Sequence, residues 1–461
     1  MSEASDTSSL EKPEIRCGDC FGEFEALKEV GRGQFATVWT CVKKGTNVQA
    51  AVKAFTTSAG YRGVFERELV ALKHVAGHPN IAQLLGHGEH TDLQCSYLIT
   101  PKMSCDLFTV LRVKGAMPVA SSLRVIAQVT AALRHCHHRG FAHADLKPEN
   151  VLCNHGGKII LTDFGGAVKL QNYHPEQPER GEGASASARE PDPLSLSASA
   201  NSNPPPDDDA ESHTSYNSGE LHVTDDYRAP EVILEQKYTA ASDMWSLGCL
   251  LFEISTGLTL FPVEDQEESE ADSEDDTGAP APAPPPELAS LMISRDSVPE
   301  APAPPPEHRE LAPPEAEAEA PPRPGVERLI NALPLSGSES DDDSDYSLSD
   351  ALEELTEHQA MLSQLAAIVR VIGPVTKTQA RKHAEFFTLD GRVHGFEHDQ
   401  PDKLRDLLAD RMPTRDAAII EALVKRVVKH NAAQRATAEQ LLRMRSLSEF
   451  YTEPIPTSVG Q

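Results

Sequence analysis

The sequence lacks the features that mark membrane and secreted proteins. It has no run of about 18 consecutive apolar residues, which excludes an ordinary membrane-spanning helix. Its first residues, MSEASDTSSLEKPE, include neither a basic start nor an apolar stretch, so we expect no signal peptide. We therefore expect an intracellular protein without membrane contact, located in the cytoplasm, the nucleus or both.

Cysteine is also scarce, with eight in 461 residues. Only Cys17 and Cys20 lie close together, and one CxxC pair without a second pair or nearby histidines is weak support for zinc. His135, His137 and His138 cluster at the predicted end of a helix, where histidines more often bond carbonyl groups or face water than bind metal. We expect free thiols.

Basic residues are too few to balance the acidic ones, and the formal net charge is −29. Residues 171–222 hold 10 acidic and 2 basic residues, and residues 263–350 hold 24 acidic and 4 basic residues. The rest of the chain has 37 acidic and 36 basic residues. A nearly neutral body therefore carries two acidic segments, and we expect no direct binding of nucleic acid.

The two acidic segments have the composition of disordered insertions. Residues 171–222 contain seven prolines, and residues 263–350 contain 16 prolines and the repeat APAPPPE at 281–287 and 301–307. Serines among the acids of the second segment are candidate phosphorylation sites, although a charged linker is the plainer interpretation. Residues 1–21 are predicted to be a disordered N-terminus, and residues 451–461 a tail.

The stretch FAHADLKPENVL, residues 141–152, has the groups needed to transfer a phosphoryl group to a hydroxyl. Asp145 can orient the hydroxyl and accept its proton, Lys147 can neutralise charge on the phosphate, and Asn150 can hold a metal ion. The strand predicted for KIILTDFGGAV ends in Asp163, which is placed to be a second metal ligand. Taken alone, the loop is compatible with an ordinary surface loop.

A glycine turn and a lysine precede this loop at compatible places. Gly31 and Gly33 lie in LKEVGRGQFATVWTCVKK, which predicts two strands around a turn whose amides can face phosphates, although GxGxxA is also a common hairpin. Lys53 follows in a third strand. Residues 61–75 have helical periodicity, and Glu68 on that helix can pair with Lys53, the alternative being a solvated Glu68 beside Glu66.

The rest of the chain predicts further elements. The runs IAQLLGHGE and SYLITPKM predict a hairpin that leads to a connector, where Met103 would meet an adenine ring. Helices are predicted over 122–140 and over 240–256, the second as a buried central pillar. A further helix is predicted from Leu362 and ends at Gly373. Two more are predicted to open at Asp416 and at Thr437, the latter with a capping box to Gln440.

Six motifs of this sequence resemble those of the eukaryotic protein kinases in their order and spacing. They are GRG, Lys53, Glu68, DLKPEN, DFG and APE. The resemblance implies an α+β, two-lobed fold with a small β-rich N-lobe carrying one helix and a larger, mainly α C-lobe. It covers residues 22–450, with the N-lobe at 22–103 and the C-lobe at 104–450, interrupted by the two insertions. It also implies ATP and Mg²⁺ as cofactors and a chain that acts as a monomer on protein substrates.

Roles of individual residues follow from the resemblance. Asp145, Lys147 and Thr224 would be catalytic, and Asn150 and Asp163 would ligate magnesium. The nucleotide would contact Val30, Gly31, Arg32, Gly33, Gln34, Phe35, Ala36, Thr37, Val38, Lys53, Glu68 and Met103. Asp243 resembles the aspartate that supports the catalytic loop, and Arg435 the arginine that pairs with Glu231.

Lys147 and Thr224 resemble the signature of the serine/threonine class, and Arg228 that of the CMGC group. Within that group, GRGQFATVW and KHAEFFTLDGRVHG are most similar to the SR-protein kinases, which implies Arg/Ser-rich substrates. Ala144 replaces the usual arginine before the catalytic aspartate, so we expect no cationic pocket for a phosphorylated activation loop. A milder departure is Ala36, where a third glycine is common.

The insertion at 171–222 falls inside the activation segment, where it either loops out or acts as an acidic pseudosubstrate. We favour the first, because the chain returns with an intact DDYRAPE. An active serine/threonine kinase is the leading hypothesis. The alternatives are a pseudokinase scaffold and a protein that binds basic partners through its acidic insertions.

Overall fold

The computed structural model describes residues 13–33, 35–56, 62–154, 156–170, 223–262, 348–396 and 403–451. Within these ranges the chain forms a β-rich N-terminal lobe with one helix and a mainly helical C-terminal lobe, as predicted. The insertion predicted at 171–222 lies outside the described residues. So does the one predicted at 263–350, apart from residues 348–350, which begin a helix.

The N-terminal lobe is a six-stranded antiparallel sheet in the order β1-β2-β3-β4-β6-β5. Helix α1, Arg62–His74, contributes Ala71 and Leu72 to the main hydrophobic core, and Val75 directly after it also belongs to that core. A second cluster, which includes Phe21, is also built on the sheet. The strands are β1 (Cys20–Phe21), β2 (Phe24–Arg32), β3 (Ala36–Lys43), β4 (Gln49–Thr56), β5 (Gly86–His90) and β6 (Cys95–Pro101).

The C-terminal lobe is mainly helical, with short strands before its first helix and after its second. Its strands pair in the orders β10-β9-β7 and β11-β8. They are β7 (Cys105–Asp106), β8 (Phe141–Ala142), β9 (Val151–Cys153), β10 (Ile159–Leu161) and β11 (Val168–Lys169). The helices are α2 (Leu107–Lys114), α3 (Val119–His138), α4 (Pro230–Ile233), α5 (Ala240–Thr256), α6 (Leu348–Ile372), α7 (Lys377–Lys382), α8 (Leu404–Ala409), α9 (Thr414–Val427), α10 (Ala438–Leu442) and α11 (Arg445–Ser448).

Helix α5 is the central pillar that its sequence predicts. Leu247, Leu250 and Phe252 are almost completely buried, as expected of a helix that is apolar nearly all round. A Cβ added to Gly248 would lie 2.4 Å from Val428 at the end of α9, so the absence of a side chain allows the close approach there. Residues from α6 to α11 belong to the same hydrophobic core as α3 and α5, and α9 packs directly against α5. The helices that follow Leu362 are therefore part of the C-terminal lobe.

Most predicted elements are confirmed, and several boundaries are wrong. Helix α3 spans Val119–His138 rather than the predicted 122–140. The hairpin strand predicted from Ile81 begins only at Gly86, because Ile81 pairs in a bridge with Leu161 instead. Helix α6 begins at Leu348, well before the predicted run from Leu362.

Strand β10 ends at Leu161, two residues before the predicted end at Asp163, whose φ of 60° is incompatible with a strand. Helix α9 begins at Thr414 rather than Asp416, because Pro413 supplies the fixed backbone angle that suits a helix start. The capping box of Thr437 and Gln440 is confirmed. No helix in the described ranges is long and apolar enough to cross a membrane.

Candidate active site

Three charged side chains from three elements meet between the lobes. Lys53 on β4 places its Nζ 2.8 Å from Oε2 of Glu68 on α1 and 2.7 Å from Oδ1 of Asp163, which follows β10. The alternative of a solvated Glu68 beside Glu66 is wrong, because the Glu68 side chain is only 4% exposed and pairs with Lys53. The ammonium group therefore bridges two carboxylates that are far apart in sequence.

The pKa values in this cluster reflect burial and mutual attraction. Burial raises the pKa of Glu68 to about 7, although the Lys53 ammonium opposes that shift. Burial also acts to raise the pKa of Asp163, but Lys53 outweighs it and holds that pKa below its usual range. The pKa of Lys53 is raised because the two carboxylates outweigh the effect of its burial. Lys53 therefore remains a cation through the physiological range.

A second cluster forms around the Asp145 carboxylate. Thr224 donates its hydroxyl to Oδ1 of Asp145 at 2.7 Å, and Lys147 donates to the Thr224 hydroxyl at 2.7 Å. Lys147 also lies 3.1 Å from Oδ2 of Asp145. The amide nitrogen of Asn150 donates to Oδ2 and to the backbone carbonyl of Asp145, at 2.9 and 2.7 Å. These three side chains therefore hold the Asp145 carboxylate in one orientation.

The backbone before Asp145 is fixed by the buried carboxylate of Asp243 on α5. Asp243 accepts hydrogen bonds from the amides of His143 (2.8 Å) and Ala144 (3.0 Å), from His137 Nε2 (2.7 Å) and from the Tyr238 hydroxyl (2.8 Å). Burial acts to raise the pKa of Asp243, but the bond from His137 and the other donors hold it below its usual range. Asp243 therefore stays ionised and can accept all four bonds.

Ala144 has a left-handed backbone, with φ of 65°, which few residues other than glycine adopt readily. The hydrogen bond from its backbone amide to Asp243 holds this conformation. The side chain is a buried methyl group, 1% exposed, so it has no cationic head to offer an anion. The prediction that His137 caps a carbonyl group or faces water is wrong, because its ring bonds to Asp243 instead.

His143 connects this loop to the segment that carries Asp163. Its Nε2 lies 2.8 Å from the carbonyl oxygen of Thr162, and its ring packs edge-on against Phe164 with centroids 4.7 Å apart. Asp163, between those two residues, also has a left-handed φ of 60°. The contacts on either side of Asp163 therefore hold its carboxylate near Lys53.

The remaining predicted nucleotide residues lie in the sheet and in the connector between the lobes. Strand β2 carries Val30, Gly31 and Arg32, and β3 carries Ala36, Thr37 and Val38 on the paired strand. Gly33 and Phe35 lie in the turn, while Gln34 is outside the described residues. Met103 lies in the connector and packs against the main core. The predicted set thus occupies one hairpin and one connector.

The oxygen atoms present fit the magnesium that the resemblance to kinases implies. Magnesium prefers a few carboxylate or amide oxygens from the protein together with phosphate oxygens and water. The carboxylate of Asp163 and the amide oxygen of Asn150, whose nitrogen is engaged by Asp145, are groups of that kind. In the described ranges no group of three or more His, Cys, Asp and Glu residues could hold a metal by itself.

The segment after residue 222 is anchored to the C-terminal lobe by two buried contacts. The guanidinium of Arg435 makes a two-pronged contact with Glu231, at 2.6 Å from each carboxylate oxygen. Tyr227 donates its hydroxyl to Glu253 on α5. Arg228 donates to the carbonyl of Val223 at 2.8 Å, next to Thr224. Thr224 is therefore held near Asp145 by backbone that is itself fixed.

Glu253 makes stability depend on pH in a predictable way. Burial raises its pKa to about 7 from 4.5, opposed by the bond from Tyr227 and reinforced by nearby acids. A raised pKa favours the protonated folded form, so this contribution is complete below pH 4.5 and is lost as pH rises through about 7. We expect the stability of wild type relative to Glu253→Gln to fall by on the order of 1 kcal/mol between pH 5 and pH 8.

Urea unfolding of both proteins at several pH values measures this difference. Glutamine keeps an acceptor for Tyr227 and does not titrate, so other groups cancel in the comparison. A difference in unfolding free energy that stays constant from pH 5 to pH 8 would refute the assignment.

Sequence reasoning missed several partners in this region. Tyr238, Glu253 and Ser242, which donates to Glu231 at 2.8 Å, are ordinary residues in unremarkable contexts. Their roles arise from contacts that form only when the chain folds, so no local pattern in the sequence predicts them.

Comparison with known proteins agrees with this geometry. The chain matches the family described as protein kinase domain over residues 24–184 and 209–311, which is more than half of its length. It is 29% identical over 245 residues to Extracellular signal-regulated kinase 2 of Dictyostelium discoideum, covering 52% of this chain and 56% of that protein. It is 28% identical to Mitogen-activated protein kinase 15 of Caenorhabditis elegans, covering 52% of this chain and 45% of that protein.

A further relative is Cyclin-dependent kinase-like 5 of Homo sapiens, 29% identical over 252 residues, covering 54% of this chain and 22% of that protein. The chain therefore spans from about a fifth to just over half of the length of these relatives. They are mitogen-activated and cyclin-dependent kinase-like proteins of the CMGC group, so they support that group but not the narrower resemblance to SR-protein kinases. The two-lobed fold and the family match lead to one conclusion: the chain belongs to the protein kinase family.

Proposed function

We propose that the protein transfers the γ-phosphate of Mg-ATP to serine or threonine hydroxyls of other proteins. The observation that carries the proposal is the constraint on Asp145, whose carboxylate contacts Thr224, Lys147 and Asn150 at once. A carboxylate held in this way can orient a substrate hydroxyl and accept its proton. The proposal thus assigns Asp145 as the catalytic base.

The other residues have complementary roles in the proposal. Lys53, kept charged beside Glu68, would bind the phosphates of the nucleotide, and the backbone of the glycine turn would approach them. Asn150 and Asp163 would hold magnesium, which supplies charge neutralisation at the phosphates when bound. Lys147 would neutralise charge on the phosphoryl group near the acceptor hydroxyl.

Phosphorylation of the activation segment is not required in this proposal. The resemblance to kinases implies an arginine before the catalytic aspartate that would bind such a phosphate, but Ala144 has a buried methyl group there. Asp243 already fixes the loop through the Ala144 amide. We therefore propose that treatment of the purified protein with a phosphatase leaves its activity unchanged.

The proposed acceptor class rests on Lys147, Thr224 and the kinship with CMGC kinases. Arg/Ser-rich substrates are the finer part of the proposal, supported by the resemblance of GRGQFATVW and KHAEFFTLDGRVHG to SR-protein kinases. The substrate class is therefore tested separately from the chemistry.

The test is transfer of labelled phosphate from ATP with magnesium to a peptide library that varies the positions around the acceptor. We expect phosphoserine or phosphothreonine in the product, with arginine favoured beside the acceptor. Transfer without a preference for arginine would overturn only the substrate class. Absence of transfer to any peptide or basic protein would overturn the enzyme and favour a pseudokinase scaffold.

Thr224 is proposed as a positioning residue, and its hydroxyl can be tested directly. Thr224→Val removes both the bond to Asp145 and the acceptor for Lys147, whereas Thr224→Ser keeps them. We expect kcat to fall about tenfold in the valine variant, the equivalent of one hydrogen bond of about 1.4 kcal/mol. The serine variant should retain most of the activity, and the KM for ATP should change little in both. Equal kcat values for the two variants would contradict this role.

A further inference from the structure

Two thiols face each other where the connector between the lobes enters the C-terminal lobe. Cys105 is the first residue of β7 and Cys153 the last of β9, and they are directly opposite in the antiparallel pair. Their sulfur atoms are 3.3 Å apart. Among the described residues no other two cysteine sulfurs are in hydrogen-bonding contact.

This placement suits a covalent bond between the two residues. Residues opposite each other in antiparallel strands have Cα atoms about 4.5–5.5 Å apart, within the range of about 4.4–6.8 Å that a disulfide spans. The sulfur atoms would have to close from 3.3 Å to about 2.05 Å. Small side-chain rotations can supply that change, so the strands need not separate or shift register.

The environments of the two thiols differ in a way that gives each a role. Cys153 is 1% exposed, whereas Cys105 is only partly buried. The hydrogen bond between the two thiols lowers the pKa of Cys105 and raises the pKa of Cys153. Cys105 is therefore the thiol that an external reagent meets first, and Cys153 lies behind it in the interior.

We propose that Cys105 and Cys153 are a redox modification site that forms a reversible intramolecular disulfide by exchange with low-molecular-weight disulfides. The Cys105 thiolate attacks one sulfur of the reagent, forms a mixed disulfide and releases one reagent thiol. Cys153 then attacks the Cys105 sulfur from the buried side and releases the second. The two cysteines lose two electrons and two protons, which the two reagent thiols gain.

The bond would tie together two segments that border the candidate active site. Strand β7 follows the connector that contains Met103, and β9 follows Asn150 directly. The amide of Ser104 already donates to the carbonyl of Cys153 at 3.1 Å, so the segments are in register before oxidation. A cross-link between residues 48 positions apart should restrict the unfolded chain and raise the melting temperature by about 5 °C.

The test treats the full chain with glutathione disulfide, blocks the remaining thiols with N-ethylmaleimide and maps the products by mass spectrometry after trypsin digestion. Trypsin releases residues 103–112 and 140–158, each of which contains one cysteine. We expect these peptides to be linked after oxidation and separate after reduction with dithiothreitol. The linked species should have about 2 Da less than the sum of the two thiol peptides, because two hydrogens leave.

Matched variants separate this pair from general oxidation. Cys105→Ser should abolish the link and the rise in melting temperature, whereas Cys17→Ser, which changes an exposed thiol, should retain both. Oxidised wild type in which the two peptides remain separate would overturn the proposal. So would a glutathione adduct that persists on Cys105, because it would show that Cys153 does not complete the exchange.

Discussion

Replacing Asp145 by asparagine should abolish nearly all phosphoryl transfer while leaving the fold intact. Asparagine can keep hydrogen bonds with Thr224 and Lys147, but it cannot accept a proton from the substrate. General-base catalysis contributes roughly 10²–10⁴-fold to rates, so kcat should fall by about that factor. The KM for ATP should change little, because the nucleotide contacts are proposed to involve Lys53 and the glycine turn.

The experiment compares steady-state kinetics and melting temperature for wild type, Asp145→Asn and Asp410→Asn. Asp410 is an exposed carboxylate at the end of α8, so its variant controls for the loss of one charge. A large loss of kcat in both variants, or in neither, would remove Asp145 from the role of base. A melting temperature lowered only in Asp145→Asn would indicate a structural role instead.

Removing the Arg435 side chain should cause the largest loss of stability of any substitution considered. Arg435 contacts both oxygens of Glu231, donates to the carbonyls of Lys429 and Ala241, and is 0% exposed in its side chain. Breaking a buried pair leaves the remaining charge without compensation, so we expect Arg435→Ala to lower the unfolding free energy by about 3–5 kcal/mol.

Urea unfolding followed by circular dichroism measures this loss, with Arg445→Ala as the matched control. Arg445 contacts Glu449 at 3.5 Å with a side chain that is 95% exposed. Surface pairs of this kind contribute about 0–1 kcal/mol, so the control should be close to wild type. Similar losses in the two variants would mean that the Arg435 pair does not anchor the lobe.

The sequence predicted the elements of the fold better than the contacts between them. Helix α5 was predictable from its apolar composition, and the helix over 62–74 from its periodicity, because both patterns are local. The start of α9 at Thr414 was missed because an acidic residue in a first turn resembles a helix start. Local composition therefore located the elements but placed some of their ends incorrectly.

The candidate site shows the same division. The resemblance to kinases predicted Asp145, Lys53 and Asp163, because their motifs have fixed spacing along the chain. It did not predict that His137 would share the Asp243 carboxylate, nor that Cys105 would face Cys153. Those contacts depend on the docking of segments distant in sequence, which single-sequence patterns do not encode.

The four bonds accepted by Asp243 also predict how slowly the backbone amides of the loop before Asp145 exchange their protons with solvent. The His143 and Ala144 amides donate to a carboxylate that is 0% exposed, in a pocket closed by α3, α5 and the loop itself. Deuterium can reach those two amides only when this part of the lobe opens. Their exchange rates should therefore match those of the α5 core amides, so that the loop before Asp145 behaves as part of the most stable unit of the protein.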